Sequence, residues 1–505
     1  MIPDVVDEQP ARLATGTLVA GCFAVFLAQT GLVLPAAING VIQRTLQLSG
    51  AELTWVSDAF LVPIAMFSLT FGVLGDRYGR KKVLLAGFLL TLLGAAIAAV
   101  GSTAPTLWIG QAAAGVGAAA LFPSSLAVIT AVTPSPGARA RGLAAWTTAL
   151  SAGALVAPPL SGVAVELGSF HWAFGAVAIL AGIGTVAIFL LVKESSRPNG
   201  RSFDWPGQIA IAAALLALLF GVIEGQELGW TSPLVVGAFV LFIVFLTAFI
   251  VIENRGPQPM LRLSLFRIPA FSGAAVVAVV GMLGFLGGAY ALSIRLGVIQ
   301  HQTPLQAAVP FLVIQGVTPF IWPLLVRLLR RVGPRIMLVC GLLAIAAGWG
   351  WLGALPVADS TIVTMLPALL AVGLGFGLLV SAITAAAVNV VPIQLTGMAS
   401  ATTSVVRDLG QTFGPALIGA IVLSQAAAAL APRLAGQPGP ANAVFEAGGP
   451  LAVATADLGP ASDLARAALE HGYAVGSFVS AAVCVCAAFV ALVMVRAGAG
   501  REVRH

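Results

Sequence analysis

Three residues stand out because their side chains can hold a charge or a proton where charge is costly. Asp58 lies in "TWVSDAFLV" (54–62), inside an otherwise apolar run. Arg407 and Asp408 lie side by side in "SVVRDLGQTFG" (404–414), well inside another. A centred charge costs about 2.5–3.5 kcal/mol even on insertion scales, which makes such residues functional candidates by default. A free aspartate has a pKa near ~3.9, and a carboxyl group taken out of water holds its proton more tightly, so loading and release move toward neutral pH. The chemistry on offer is proton carriage, and Asp58, Asp408 and Arg407 are the proton-coupling candidates. A plainer reading stands beside it: Asp58 as an interhelical hydrogen-bonding contact, Arg407 as a structural residue, and Asp408 as its partner. Adjacent helical residues point roughly 100° apart, so Arg407 and Asp408 cannot both face one cavity squarely.

Other chemistries find no support. Cys22, Cys340, Cys484 and Cys486 lie in apolar runs and read as small hydrophobes. The four histidines are scattered, and nothing has the spacing of a metal site or a disulfide framework. The G-x-x-x-x-G-K-[ST] loop of ATP-driven machines does not occur. No catalytic residue, metal or cofactor is expected.

The elements that carry these residues follow from composition. The chain is 59% hydrophobic and 9% charged, with a mean hydropathy of +1.02, against roughly 25% charged residues in a soluble protein. No soluble core hides that much apolar surface, so the solvent is lipid. Spans of about 20 apolar residues read as 16–40, 53–74, 83–101, 106–133, 142–166, 171–192, 206–225, 231–252, 270–296, 306–329, 336–354, 361–389, 398–426 and 472–495. With both ends cytoplasmic, 20 Lys and Arg fall inside and four (Arg44, Arg295, Arg433, Arg466) outside, a split that a missed or extra span would destroy. The basic surplus therefore orients the chain in its bilayer and calls for no nucleic acid. The polar start "MIPDVVDEQPAR" lacks the basic region of a cleaved signal, so the first run is expected to stay as an anchor. Abundant Ala, Gly and Arg suggest a GC-rich bacterial source, and hence a multi-pass protein of the bacterial cell (inner) membrane. The outer segment 429–470, rich in Pro and Gly, reads as a mobile or partly helical loop without a specific role.

The loop between spans 2 and 3 is "GVLGDRYGRKKVLL" (72–85). It resembles the cytoplasmic signature of the major facilitator superfamily, with Gly72, Asp76, Arg77, Gly79 and Arg80 at the matching positions. The chain also repeats itself. "DRYGRKKVLLAG" (76–87) aligns with "RRVGPRIMLVCG" (330–341), "AGVGAAAL" (114–121) with "VGLGFGLL" (372–379), and "RGLAA" (141–145) with "TGMAS" (396–400). Spans 1–6 and 9–14 are thus related halves with two spans inserted between them, and such repeats place a substrate site at mid-membrane. Fourteen spans of this kind are similar to the fourteen-helix drug:proton antiporters. The stretches "WVSDAFLV", "QPMLRLSLFRIPAF" (258–271) and "VRDLGQTFGPALIGAI" (406–421) agree with that branch.

What the resemblance implies is an all-α major facilitator fold of two pseudo-symmetric six-helix bundles plus two central helices. Its parts would be a tail at 1–15, a first bundle at 16–193, a linker with the extra helices at 194–255, a second bundle at 256–496 and a tail at 497–505. The loop after span 2 would act as a cytoplasmic gate latch, and "GALVAPPLSG" (153–162), with Gly153, Pro158 and Gly162, as the antiporter element of span 5. Two departures weaken the family's proton pathway: Ala28 stands where many relatives carry an acid, and Gln111 where they carry an arginine. Gln111 and Trp146 are cavity candidates. The implied function is proton-coupled efflux of amphipathic small molecules by alternating access, powered by the proton gradient, in a protein acting as a monomer. The alternatives are a dedicated exporter of one natural product or lipid and, more remotely, a membrane sensor or membrane-embedded enzyme. The charge of the cargo stays open: the acids fit cations, while Ala28 and Arg407 also suit neutral or anionic compounds.

Overall fold

A computed structural model describes residues 8–133, 136–196, 204–225, 227–256, 263–357, 360–391, 396–435, 440–456 and 458–495. Lipid offers backbone groups no hydrogen-bond partner, so each apolar run closes its own bonds as a helix. The first six are α1 (Glu8–Leu46), α2 (Gly50–Tyr78), α3 (Arg80–Val100), α4 (Ala104–Ala131), α5 (Pro136–Glu166) and α6 (His171–Leu191). The inserted pair is α7 (Trp205–Glu224) and α8 (Pro233–Arg255). The second half holds α9 (Pro269–Ile294), α10 (Pro304–Ala354), α11 (Ile362–Val388), α12 (Thr396–Leu434), α13 (Pro440–Thr455) and α14 (Pro460–Met494), with a π-helical turn at Arg295–Ile299 after α9.

Among the described residues, thirteen helices are long and apolar enough to cross a membrane, and a bent pair within α10 supplies a fourteenth. That pair, Leu305–Ile321 and Pro323–Leu329, bends by 63°, as prolines in a helix require. α10 holds two spans because Gly333 breaks it with φ 78° and ψ 168°. Gly79 makes the matching break between α2 and α3 with φ 120°, a conformation costly to residues with a Cβ. The two glycines occupy aligned positions of the repeat, so one turn device serves both halves.

Packing repeats as well. Gly87 and Gly117 meet backbone to backbone between α3 and α4, and Gly341 and Gly375 do so between α10 and α11. In lipid, association rests on such close approach. Lys81 donates to the Phe189 carbonyl at the end of α6 (2.8 Å), and its counterpart Arg335 donates to the Leu492 carbonyl at the end of α14. A Cβ at Gly153 would strike the Phe26 carbonyl of α1, and one at Gly410 the Val279 carbonyl of α9.

The inserted pair is tied to α2. The Gln208 amide donates to the Met66 carbonyl (2.6 Å), Thr70 donates to the Gln208 carbonyl oxygen, Trp55 Nε1 donates to Glu224 (2.9 Å), and the Ala51 N–H donates to Glu227 (3.0 Å). Of the two readings of the outer segment 429–470, mobile or partly helical, the described residues take the helical one. α12 continues to Leu434 and α14 starts at Pro460. Between them Leu451 and Val453 of α13 are fully buried in an apolar cluster that also holds Ile42 and Leu48 of the first half. The segment's Pro and Gly residues suggest a loop, but its alanines and leucines pack this cap against the first half.

Candidate functional site

Between the two halves lies a cavity of about 60 Å³, beside the outer parts of their helices. From the first half, α1 contributes Leu32, Val33 and Ala36, and α2 contributes Ser57 and Leu61. From the second half, α9 contributes Phe285, Leu286, Ala289 and Tyr290, α10 contributes Phe311, Ile314 and Gln315, and α12 contributes Pro415. None of these side chains is charged.

Asp58 sits beside this cavity without lining it. It is completely buried, and neither carboxylate oxygen has a hydrogen-bond partner among the described residues. One turn further out on the same helix face, the Thr54 hydroxyl donates to the Gly50 carbonyl (2.9 Å). That leaves it to accept from the Tyr290 hydroxyl of the other half, also at 2.9 Å. The expected alternative, Asp58 as an interhelical hydrogen-bonding group, is not what this geometry holds; on this face of α2 the hydrogen bond to the other half comes from Thr54.

Further contacts close the outer side around that pair. Asn39 donates to Ser293 (3.2 Å) and Arg44 donates to the Gly297 carbonyl (2.6 Å). Gly40 of α1 lies against the backbone of Gly297, and Gly50 of α2 against Leu423 of α12. Deeper in the membrane, the Thr412 hydroxyl of α12, which donates to the Asp408 carbonyl (2.9 Å), lies 3.5 Å from the Leu61 carbonyl of α2. His301, in the connection after the π-helical turn, sits among cations: burial, Arg466 and Arg44 together hold its imidazole below the usual value.

Arg407 and Asp408 pair with each other, Nη2 to Oδ1 at 3.3 Å. They lie about two turns inward of Pro415 and do not line the cavity. Gln111 is buried and donates to the Val56 carbonyl (3.2 Å), while Trp146 Nε1 donates to Ser125 (2.9 Å). Neither lines the cavity; both tie helices of the first half together.

The loop after α2 folds onto its own half. Arg80 Nη2 meets Asp76 Oδ1 at 2.8 Å, and Arg80 Nη1 donates to the Ala127 carbonyl of α4 at 3.2 Å. Glu194, beyond α6, accepts from the Lys81 N–H at 3.1 Å, and its carboxylate fills the space beside Gly79. Gly72 faces Pro123 of α4, and Arg77 reaches over the Tyr78 ring, 5.6 Å from its centroid. Sequence reading missed Glu194, because a lone acid beyond a span looks like any solvated charge. In α5, Gly153 admits α1, while Gly162 lies against Leu305 of α10, so that end of the element joins the two halves. The same spacing recurs in α12: Gly410, Pro415 and Gly419 stand where α5 has Gly153, Pro158 and Gly162. A Cβ at Gly419 would strike the Tyr290 ring.

Arg295 lies on the outer side, where the sequence reading counted it, but it is not a solvent-exposed loop residue. It is fully buried at the outer end of α9. It donates to the carbonyls of Leu352 (2.7 Å) and Leu355 (2.9 Å), at the C-terminus of α10, and to Ser360. Its guanidinium lies 4.8 Å from the Tyr473 ring centroid. Cations at helix C-termini are favoured by the helix dipole, which lets this one stay where a carboxylate partner is missing among the described residues.

Two repeated six-helix bundles meeting around an apolar cavity are the arrangement of a membrane transporter. The chain belongs to the Major Facilitator Superfamily, whose pattern it matches over residues 19–415. It is 29% identical to multidrug resistance protein Stp of Mycobacterium tuberculosis over 84% of this chain and 77% of that one. It is 28% identical to the multidrug efflux pump LfrA of Mycolicibacterium smegmatis over 95% and 96% of the two chains. It is 26% identical to a tetracenomycin C resistance and export protein of Streptomyces glaucescens, over 84% and 79%. Among solved structures, a bacterial homolog of the human lysosomal transporter Spinster superposes with a TM-score of 0.67 at 16% identity, covering 96% of this chain and 97% of that one, a likeness of fold.

Proposed function

We propose that the protein exports amphipathic small molecules from a bacterial cell across the inner membrane in exchange for protons, working as a monomer with the proton gradient as its only energy source. The observation that carries this reading is Asp58: a fully buried acid without a hydrogen-bond partner, one turn from the Thr54–Tyr290 contact between the halves. A charged carboxylate there is uncompensated, so its protonated form suits the closed outer side. Parting Thr54 from Tyr290 admits water and lets the acid exchange its proton. Proton binding and the rocking of the halves are thereby linked through one helix face. The names of the relatives support efflux, and the uncharged cavity beside Asp58 gives cargo and proton separate seats.

A dedicated exporter of one natural product is the second reading, favoured by relatives named for single antibiotics, such as the puromycin resistance protein of Streptomyces alboniger. The test is transport by the purified protein in proteoliposomes under an imposed pH gradient, scanning cationic, neutral and anionic compounds. Movement of several unrelated compounds that collapses with the gradient is expected. Transport indifferent to the gradient contradicts proton exchange, and movement of a single compound selects the dedicated exporter.

A further inference from the structure

We propose that the cavity selects an uncharged, flat aromatic cargo, stacked on a wall supplied by the second half and hydrogen-bonded to Ser57 and Gln315, one from each half. The inference rests on the transport reading above and adds the chemical class of the cargo.

Charge is the first argument. No charged side chain lines the cavity. Asp58 has no exposed surface, so nothing in the cavity touches its carboxylate in this conformation. Arg407 and Asp408 face each other and offset one another further inward. A permanent cation entering such a space would shed its water and find no counter-charge, which is unfavourable wherever the surroundings are apolar. A neutral compound loses far less.

Shape and hydrogen bonding give the rest. The repeat that carries Gly79 onto Gly333 carries Ser57 onto Phe311 and Leu61 onto Gln315, and the one that carries Phe26 onto Val279 carries Leu32 onto Phe285. In two of these matched lining pairs, Leu32/Phe285 and Ser57/Phe311, the second half has an aromatic member where the first has none; in Leu61/Gln315 it has the polar one. Phe285 is already stacked on Phe376, with ring centroids 4.1 Å apart at 15°, so the wall is ordered before cargo arrives. Ala36 and Ser57 on the opposite side, in a cavity of only about 60 Å³, leave room for a thin molecule and not for a bulky one. The Tyr290 hydroxyl is engaged by Thr54. Ser57 and Gln315 have no hydrogen bond among the described residues, and each can both donate and accept. A cargo bonded to both bridges the halves, as a molecule that must influence their rocking should.

The test compares acridone, an uncharged tricycle, with N-methylacridinium, a permanent cation on nearly the same frame. Equilibrium dialysis against the purified full chain reads binding without any gradient. Acridone is expected to bind at least about tenfold more tightly, and Gln315→Leu, which copies the Leu61 counterpart, to weaken it by about tenfold with an unchanged melting temperature. Gln315→Glu should reverse the order and favour the cation. Equal or tighter binding of N-methylacridinium by the unaltered protein overturns the proposal. So does binding of neither compound, or acridone binding unaffected by Gln315→Leu. Gradient-driven transport in vesicles is read separately. Failure there removes proton exchange while dialysis still decides the cargo class, and a transported cation with no acridone binding removes the cargo class alone.

Discussion

The first half carries Asp58 where the second, at the aligned position, has Leu312; the second carries Phe285 and Phe311 where the first has Leu32 and Ser57. The turns, the glycine contacts and the basic residue that reaches the last helix are held in common. A duplicated scaffold has thus kept its packing and divided its chemistry. One bundle holds the buried acid proposed to carry the proton, and the other holds the two phenylalanines of the cavity wall. The Thr54–Tyr290 hydrogen bond joins the two divisions where they meet. Under the proposed exchange, separation of this kind would let cargo and proton compete through motion of the halves without sharing a ligand.

The comparison can be broken most severely at what the halves share. Gly153→Val and Gly410→Val each drive a side chain into a carbonyl of the facing helix. Each should cost about 1–3 kcal/mol or more, seen as loss of monodisperse protein and a lower melting temperature. Comparable damage from both would support equivalent packing, whereas a neutral substitution at either would show that its half is looser than the repeat suggests. Next in size is a feature of one half only. Arg295 stands where the first half has the buried Ile42. Arg295→Met strands the carbonyls at the end of α10 and should destabilise by about 1–3 kcal/mol, whereas Ile42→Val should cost about 0.5–1.5 kcal/mol, both read by thermal unfolding.

Exchanging wall residues sharpens the division of the cavity. Phe285→Leu removes the stack on Phe376 and should weaken acridone binding roughly threefold to tenfold by dialysis. Reversing the site by adding Leu32→Phe should recover part of that loss. The smallest effect belongs to His301. Burial and the neighbouring Arg466 and Arg44 hold its pKa down, so it is already neutral above about pH 7. Its charge would matter only as pH falls below its lowered value. His301→Gln should therefore leave the pH profile of transport unchanged from neutral pH upward; a shifted profile would place a second titrating group at the outer seal.

Much of the architecture was legible in the sequence because lipid makes composition decisive. Long apolar runs have to be helices, basic loops fix their direction, and Gly79 and Gly333 announce the same turn twice. The π-helical turn and the buried Arg295 were not legible. A cation at the end of an apolar run reads as a loop residue, and its partners here are backbone carbonyls, which leave no mark in the side-chain pattern. The cavity was hidden for a related reason. In a chain with 26 phenylalanines, those facing a cavity look like those facing lipid until the helices are placed. Gln111 and Trp146 drew attention as polar or amphipathic groups within spans, yet both satisfy local helix contacts. Asp58 was visible from the start, since few residue types are so out of place in lipid. Its lack of a hydrogen-bond partner and its nearness to the Thr54–Tyr290 contact required the fold.

The most direct measurement is transport by Asp58→Asn in proteoliposomes, read twice: once driven by a pH gradient and once as exchange of labelled for unlabelled cargo with no gradient. Loss of the gradient-driven component with exchange retained is the predicted result, since asparagine keeps the shape and cannot carry the proton. Gradient-driven transport equal to that of the unaltered protein would contradict the assignment and shift the proton to Asp408.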